Sequence, residues 1–247
     1  MLARRAFRPH GLWPATMLLV LAACAGQPAA IAPGASTVVT TPDAQNCPRG
    51  VVPAARIAFA SRPPRFDDTA SLAQLSREGD LAFGRVALGL TEVKLSLDAQ
   101  YRIRHAPGLT GGICAYPADV VLHLGYAMRV VHVAREFADQ PCLHAAILAH
   151  EMRHVALDDA LIPREAARLG QALSARIGDG AGFWGRDAAD ADRRSAHVIA
   201  QAGAATVNAL GAARRRAHAQ RIDTPAEEAR IGAACGGRLR QLLDRTP

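Results

Sequence analysis

Residues 143–155 read LHAAILAHEMRHV, a run that is apolar on nearly every face once wound into a helix, apart from three histidines, a glutamate and an arginine. A helix with no solvent face has to be wrapped by other elements, so this stretch demands a domain with a substantial core around it. Asp139 is a plausible N-cap and Pro141 fits the first turn, which sets the start of that helix. Its polar side chains, once inside, must find partners there, because an unpaired buried polar group is costly.

The polar residues fall in the pattern HEMRH. Residues four apart share a helix face, so His150 and His154 stand one turn apart and can grip one metal ion through their imidazoles, with Glu151 to one side. Zinc held by three protein donors keeps a fourth position for water and lowers the pKa of that water to about 7. Glu151 is then placed to take the proton of the water during attack on a peptide carbonyl and to pass it to the leaving amine. The bland alternative is a pair of packed histidines beside a solvated glutamate.

The ends of the chain bear on where such chemistry would happen. Arg4, Arg5 and Arg8 precede the apolar run ATMLLVLAA, and the segment is too short to span a bilayer as a mature helix. Leu21-Ala22-Ala23-Cys24 resembles the bacterial lipobox, which implies cleavage before Cys24 and a lipid on that cysteine. Residues 1–23 are therefore expected to be a lipoprotein signal peptide, with an ordinary signal cut near Ala25 as the alternative. Arg4-Arg5 also matches a twin-arginine signal, weakly. Residues 24–46, rich in small residues, proline and threonine, read as a flexible tether. Residues 47–247 are the expected folded domain. The protein is placed on the periplasmic side of a bacterial membrane, the outer membrane being favoured because Ala25 and Gly26 follow the lipid cysteine.

The formal charge is +7 and the only lysine is Lys94. With alanine and arginine both abundant, the basic balance reads as a compositional habit, and no interleaving of aromatic and basic residues supports nucleic-acid binding. Beyond Cys24, four cysteines remain: Cys47, Cys114, Cys142 and Cys235. In an oxidising compartment two disulfides are expected. Three pairings are possible, and the favoured one is Cys47 with Cys114 and Cys142 with Cys235. A cysteine zinc site lacks a CxxC pair to support it.

From about residue 50 the runs VVPAARIAFA, TEVKLSLDAQYRIRH, ADVVLHLGYAM and RVVHVA are β-rich, with Gly108, Gly111 and Gly112 as breakers. SLAQLSREGD, introduced by Asp67, Asp68 and Thr69, reads as a short helix. After Asp139 the texture is helical. Strands first and helices second predict an α+β domain with a mainly antiparallel sheet and a helical C-terminal half built around the buried HExxH helix.

HEMRH resembles the centre of the zincin metalloproteases. The longer segment VVHVAREFADQPCLHAAILAHEMRHVALDDALI is similar to a family of bacterial exported proteins predicted to be zinc-dependent proteases and catalogued as a domain of unknown function. The resemblance covers about residues 47–240 and includes IDTPAEEARIGAAC near the end. It implies that the strand before the helix, residues 130–134, edges the cleft and pairs with extended substrate. The third metal donor departs from known patterns. Ala160 stands where a metzincin has histidine, and the thermolysin-like glutamate about twenty residues on is missing. Glu165, if Pro163 kinks or ends the helix, and the cluster Asp187, Asp190 and Asp192 are equal candidates. Asp158 would sit about 12 Å along the helix from His150, too far to share the ion, and suits a supporting bond to a histidine.

Other polar residues read as structural. His123, His132 and His144 are expected to pack or face solvent. His197, His218 and Arg214, Arg215 and Arg216 belong to a helix over about residues 187–219 with a solvated basic face, which could also touch anionic lipid. Asp223-Thr224-Pro225 with Glu227 and Glu228 reads as a helix start, and Trp184 as a plug at the core edge. GxSxG is absent. The expectation is a lipid-anchored zinc peptidase acting on polypeptide or cell-wall peptide, its oligomeric state open. The rivals are an envelope lipoprotein with a structural metal and a metal-free envelope or peptidoglycan binding module.

Overall fold

The computed structural model of the chain describes residues 46–79 and 86–243. The signal, the lipobox cysteine Cys24 and almost all of the tether lie outside the described residues. Among the described residues no helix is long and apolar enough to cross a membrane.

A β-hairpin of two long strands forms the spine, β3 (Gly89–Pro107) and β4 (Ile113–Val133), paired antiparallel along nearly their whole length. ADVVLHLGYAM and RVVHVA, separate runs in the sequence, are one continuous β4. The hairpin turns where Gly111 and Gly112 take φ of 91° and 71°, values that favour glycine. A side chain at Gly112 would also collide with Trp184, whose indole N–H donates to the Gly111 carbonyl at 2.8 Å. Trp184 thus braces the hairpin turn. It lies on β5 (Phe183–Gly185), which pairs antiparallel with the start of β4.

The other side of β4 corrects the expected sheet. β1 (Ala55–Ala60) and β2 (Arg65–Asp67) both run parallel to β4, so the path β1–β4–β2 is parallel and the five-stranded sheet is mixed. Ala55 pairs with Val120 and Arg65 with Val130, the same offset, so β1 and β2 are one edge line broken at Pro63 and Pro64. Proline has no N–H to give the ladder, which explains the break. The alternation of side chains that marks a strand is the same in either direction, so the sequence carries no sign of it.

α1 (Leu72–Glu78) starts at Ser71, where a capping box with Gln74 satisfies the first turn. α2 (Pro141–Gln171) carries HEMRH and begins with Pro141 at its first turn, its N-cap being Gln140 rather than Asp139. Pro163 lies inside α2, which continues through it to Gln171. α3 (Leu173–Ile177) follows, then α4 (Ala188–Arg221), α5 (Pro225–Gly232) and α6 (Ala234–Leu243).

α2 and α4 pack against one face of the sheet and run antiparallel. His154 meets His218, Leu169 packs in one cluster with Leu210, and Ile177, just beyond α2, meets Ile199. Leu122 and Leu124 of β4 are buried beneath them, and each such side chain contributes about 1.5–3 kcal/mol. A second cluster joins Leu75, Val133, Leu143, Ile147, Ile231 and Leu239, closing the end of the sheet with α1, α2, α5 and α6. Cys47 bonds to Cys114, and Cys142 to Cys235. These are the expected pairings, and they suit an oxidising, extracellular-type environment. The second staples the start of α2 to the C-terminal helices.

Candidate metal centre

His150, Glu151 and His154 are all buried, 2%, 2% and 7% exposed, and their donor atoms lie within 4.8 Å of one another, a group that could hold a metal ion. The two Nε2 atoms are 3.2 Å apart. Asp223 brings Oδ1 to 3.1 Å from the His154 Nε2 and 3.6 Å from the His150 Nε2. Three donors each about 2.0–2.1 Å from a tetrahedral zinc would be about 3.3 Å apart. The spacing of these three atoms suits one ion.

The chain between α4 and α5 explains how Asp223 gets there. At the end of α4 the Asp223 N–H donates to the His218 carbonyl at 3.0 Å, turning the backbone back over α2. Thr224 caps α5 by accepting from the Glu227 N–H, with Pro225 next to it. That same first turn aims Glu227 at His150, and the Cys142–Cys235 bond holds the segment against α2. The residues read as a plain helix start therefore also face the two histidines.

Each imidazole is oriented from behind. His150 Nδ1–H donates to Glu227 Oε1 at 3.1 Å. His154 Nδ1–H donates to His218 Nδ1 at 2.8 Å, and His218 Nε2–H donates to Asp158 Oδ1 at 2.7 Å. This assignment of protons gives a partner to all three Nδ1 atoms and to the His218 Nε2, and leaves the Nε2 lone pairs of His150 and His154 open on the side of Asp223, as a metal ligand requires. Asp158 is fully buried, and Arg214 Nε donates to both its oxygens.

The charges of these acids follow from their neighbours. Burial alone would raise the Asp158 carboxyl, but the bonds from His218 and Arg214 outweigh it and hold it below the usual range. Glu227 is held well below the usual range chiefly by hydrogen bonds from Arg230, which with Arg153 and His150 overcome its burial. Asp223 is likewise low, because His150 and His154 outweigh its desolvation. In the metal-free protein burial disfavours the charged His150 ring, but Asp223, Glu151 and Glu227 together raise its pKa.

Glu151, whose carboxylate lies within 4.8 Å of the histidine nitrogens, is tied to β3. The Thr91 hydroxyl donates to its Oε2 at 2.8 Å, and Gly89 leaves room for it: a Cβ there would lie 2.8 Å from Glu151 Oε1. Both residues belong to β3. The cleft over the site, about 430 Å³, is lined by Gly89, Leu90 and Thr91 of β3, by the end of α4 and by the start of α5. The expectation that residues 130–134 edge the cleft is corrected here. β4 is interior in the sheet, and β3, which pairs only with β4 among the described residues, stands at the edge.

The other sequence candidates lie elsewhere. Glu165 is eleven residues beyond His154 on an unbroken helix, about 16 Å along it, and pairs with Arg168. Asp187 caps the start of α4, whose opposite end carries His218, about 45 Å away. Asp190 pairs with Arg193, and Asp192 with His105. Asp158 supports a histidine as expected, through His218. His218 and Arg214 were read as part of a solvated basic face, and that reading is corrected: His218 is 8% exposed and both bond to Asp158. His132 is buried near Asp67 and Glu92, and His144 bonds Asp68. Comparison of the chain with family models, with curated proteins and with solved structures finds no match in any of the three.

Proposed function

We propose that the protein is a zinc-dependent peptidase of the bacterial cell envelope, tethered through a lipid on Cys24. The observation that carries the reading is the convergence of His150 Nε2, His154 Nε2 and Asp223 Oδ1 at spacings that suit one tetrahedral ion, with Glu151 tied to β3 by Thr91. In this reading those three residues hold the ion, and Asp223 is the third donor in place of Glu165 or Asp187. Zinc, when bound, polarises the substrate carbonyl and makes a water acidic enough to attack near neutral pH. Two histidines and a carboxylate at tetrahedral spacing are a donor set that zinc takes.

The chain's own residues do the rest. Glu151 accepts the proton of the attacking water at its carboxylate and returns it to the nitrogen of the scissile amide, so that one C–N bond breaks and a carboxylic acid and an amine leave. The Thr91 hydroxyl orients that carboxylate. Glu227 and the His218–Asp158 pair keep the imidazoles in the tautomer that binds metal. The outer edge of β3 at Gly89, Leu90 and Thr91 can take an extended peptide by strand addition. Polypeptide and cell-wall peptide both satisfy that geometry.

The test is metal content and hydrolysis together. Wild type is expected to hold about one zinc per chain and to cleave a peptide substrate. Glu151→Gln is expected to keep the zinc and lose cleavage, and unchanged cleavage in that variant would sink the mechanism.

A further inference from the structure

The charges around the cleft nearly all cancel. Arg214 is neutralised by Asp158. Glu227 is engaged by Arg153 and Arg230, and Glu228 also has a partner. With a divalent ion in place, Asp223 and Glu151 balance it. Arg215 is left: it lines the cleft, it is exposed, and it has no ion pair or hydrogen bond among the described residues. It stands three residues before His218, hence on the same side of α4 and about one turn from the residue that touches His154. In the free protein its Nη1 lies back along the helix, 3.5 Å from where a Cβ on Gly211 would be, so it has no partner to give up in order to swing over the cleft.

We propose that Arg215 anchors a carboxylate of the substrate and selects peptides with an acidic group beside the scissile bond, an inference that rests on the peptidase reading above. A guanidinium presents two parallel N–H donors that match a carboxylate in two-point contact, and it stays charged at any working pH. Excluding water from the cleft strengthens that contact, whereas a neutral or basic side chain in the same place leaves the arginine unpaired. The carboxylate can belong to an acidic side chain or to a chain end; both present the same fork.

The test uses peptides ending in a hydroxamate, which chelates the ion without being cleaved, bound to the zinc-loaded protein and measured by calorimetry. One pair carries Glu or Gln in turn at each of the two positions next to the hydroxamate. A second pair carries a free or an amidated C-terminal carboxyl. Wild type is expected to bind a Glu peptide about tenfold tighter than its Gln counterpart, Arg215→Ala to bind both alike, and Arg215→Glu to prefer a Lys peptide. Discrimination confined to the second pair and lost in Arg215→Ala supports a chain-end carboxylate. Equal binding within every pair by wild type, or discrimination that survives in Arg215→Ala, overturns the proposal. Discrimination that depends on Arg215, with no turnover of the matching amide substrates, supports the anchor and removes the peptidase reading instead.

Discussion

Asp223 Oδ1 lies 3.1 Å from the His154 Nε2, although α3, β5 and the whole of α4 separate the two residues in the chain. The contact depends on α4 running back antiparallel along α2 and turning at Asp223 over the motif. Nothing local brings them together. Asp223→Asn keeps the size and removes the charge, so zinc affinity is expected to fall by more than the 10–100-fold typical of losing a supporting partner behind a ligand. Glu165→Gln and Asp187→Asn are expected to leave it unchanged. Competition with a chelator of known affinity measures all three, and a normal affinity in Asp223→Asn would exclude it as a donor.

Gly89 sits where a side chain would strike Glu151. A Cβ there would come within 2.8 Å of Oε1, 2.9 Å of Cγ and 2.9 Å of the His132 carbonyl oxygen, which forces both the carboxylate and the local strand backbone to shift. Gly89→Ala is expected to retain zinc and to lose hydrolysis by about 10²-fold or more, the contribution of a positioned general base. Zinc content and kcat are read on the same sample. A variant with full kcat would mean that Glu151 works from a position other than the one beside Thr91.

His218 touches no expected ligand position except through His154. His218→Gln breaks the path from Asp158 to the His154 ring and is expected to weaken zinc binding about 10–100-fold, with Arg214 still holding Asp158. If the chelator competition shows wild-type affinity, the tautomer of His154 is set by something other than His218.

His150, Glu151 and His154 were legible because their geometry is local: spacing on one helix fixes which side chains share a face. The buried setting of that helix was legible for the same reason, from the absence of any polar face. Asp223 and Glu227 were hidden because the residues that cap a helix start are also the residues that bind metal and orient histidine, and only α4's return path distinguishes the uses. The chemistry of IDTPAEEARIGAAC is plain in the sequence, but its place in space is not. His218 and Arg214 looked solvated because two further arginines flank them, yet only one side of α4 faces Asp158. The sheet went astray for a different reason. Strand periodicity is unsigned, so the parallel course of β1 and β2 beside β4 depends on where the chain enters the sheet, which no run of residues records.

Tyr126 offers a test of the core beside the site. Its ring packs edge-on to Phe59 and under Arg129, and its hydroxyl is buried with no hydrogen-bond partner. Burial pushes the phenol up to about 12, against the pull of Arg129 and with Asp158 and Asp159 adding to the rise. The folded state therefore holds its proton more tightly than the unfolded chain, whose tyrosines titrate near 10. The sign follows: the stability due to the neutral phenol is fully present below about pH 10 and is lost as pH rises from there through about 12. Tyr126→Phe removes both the titration and the unpaired hydroxyl, so it is expected to leave stability at neutral pH equal or raised by about 1 kcal/mol. Between pH 10 and 11.5 it is expected to lose less than wild type does. Urea unfolding at pH 7.5, 10 and 11.5 measures the difference. A parallel decline in the two proteins would mean that the Tyr126 phenol finds a partner or reaches water in solution.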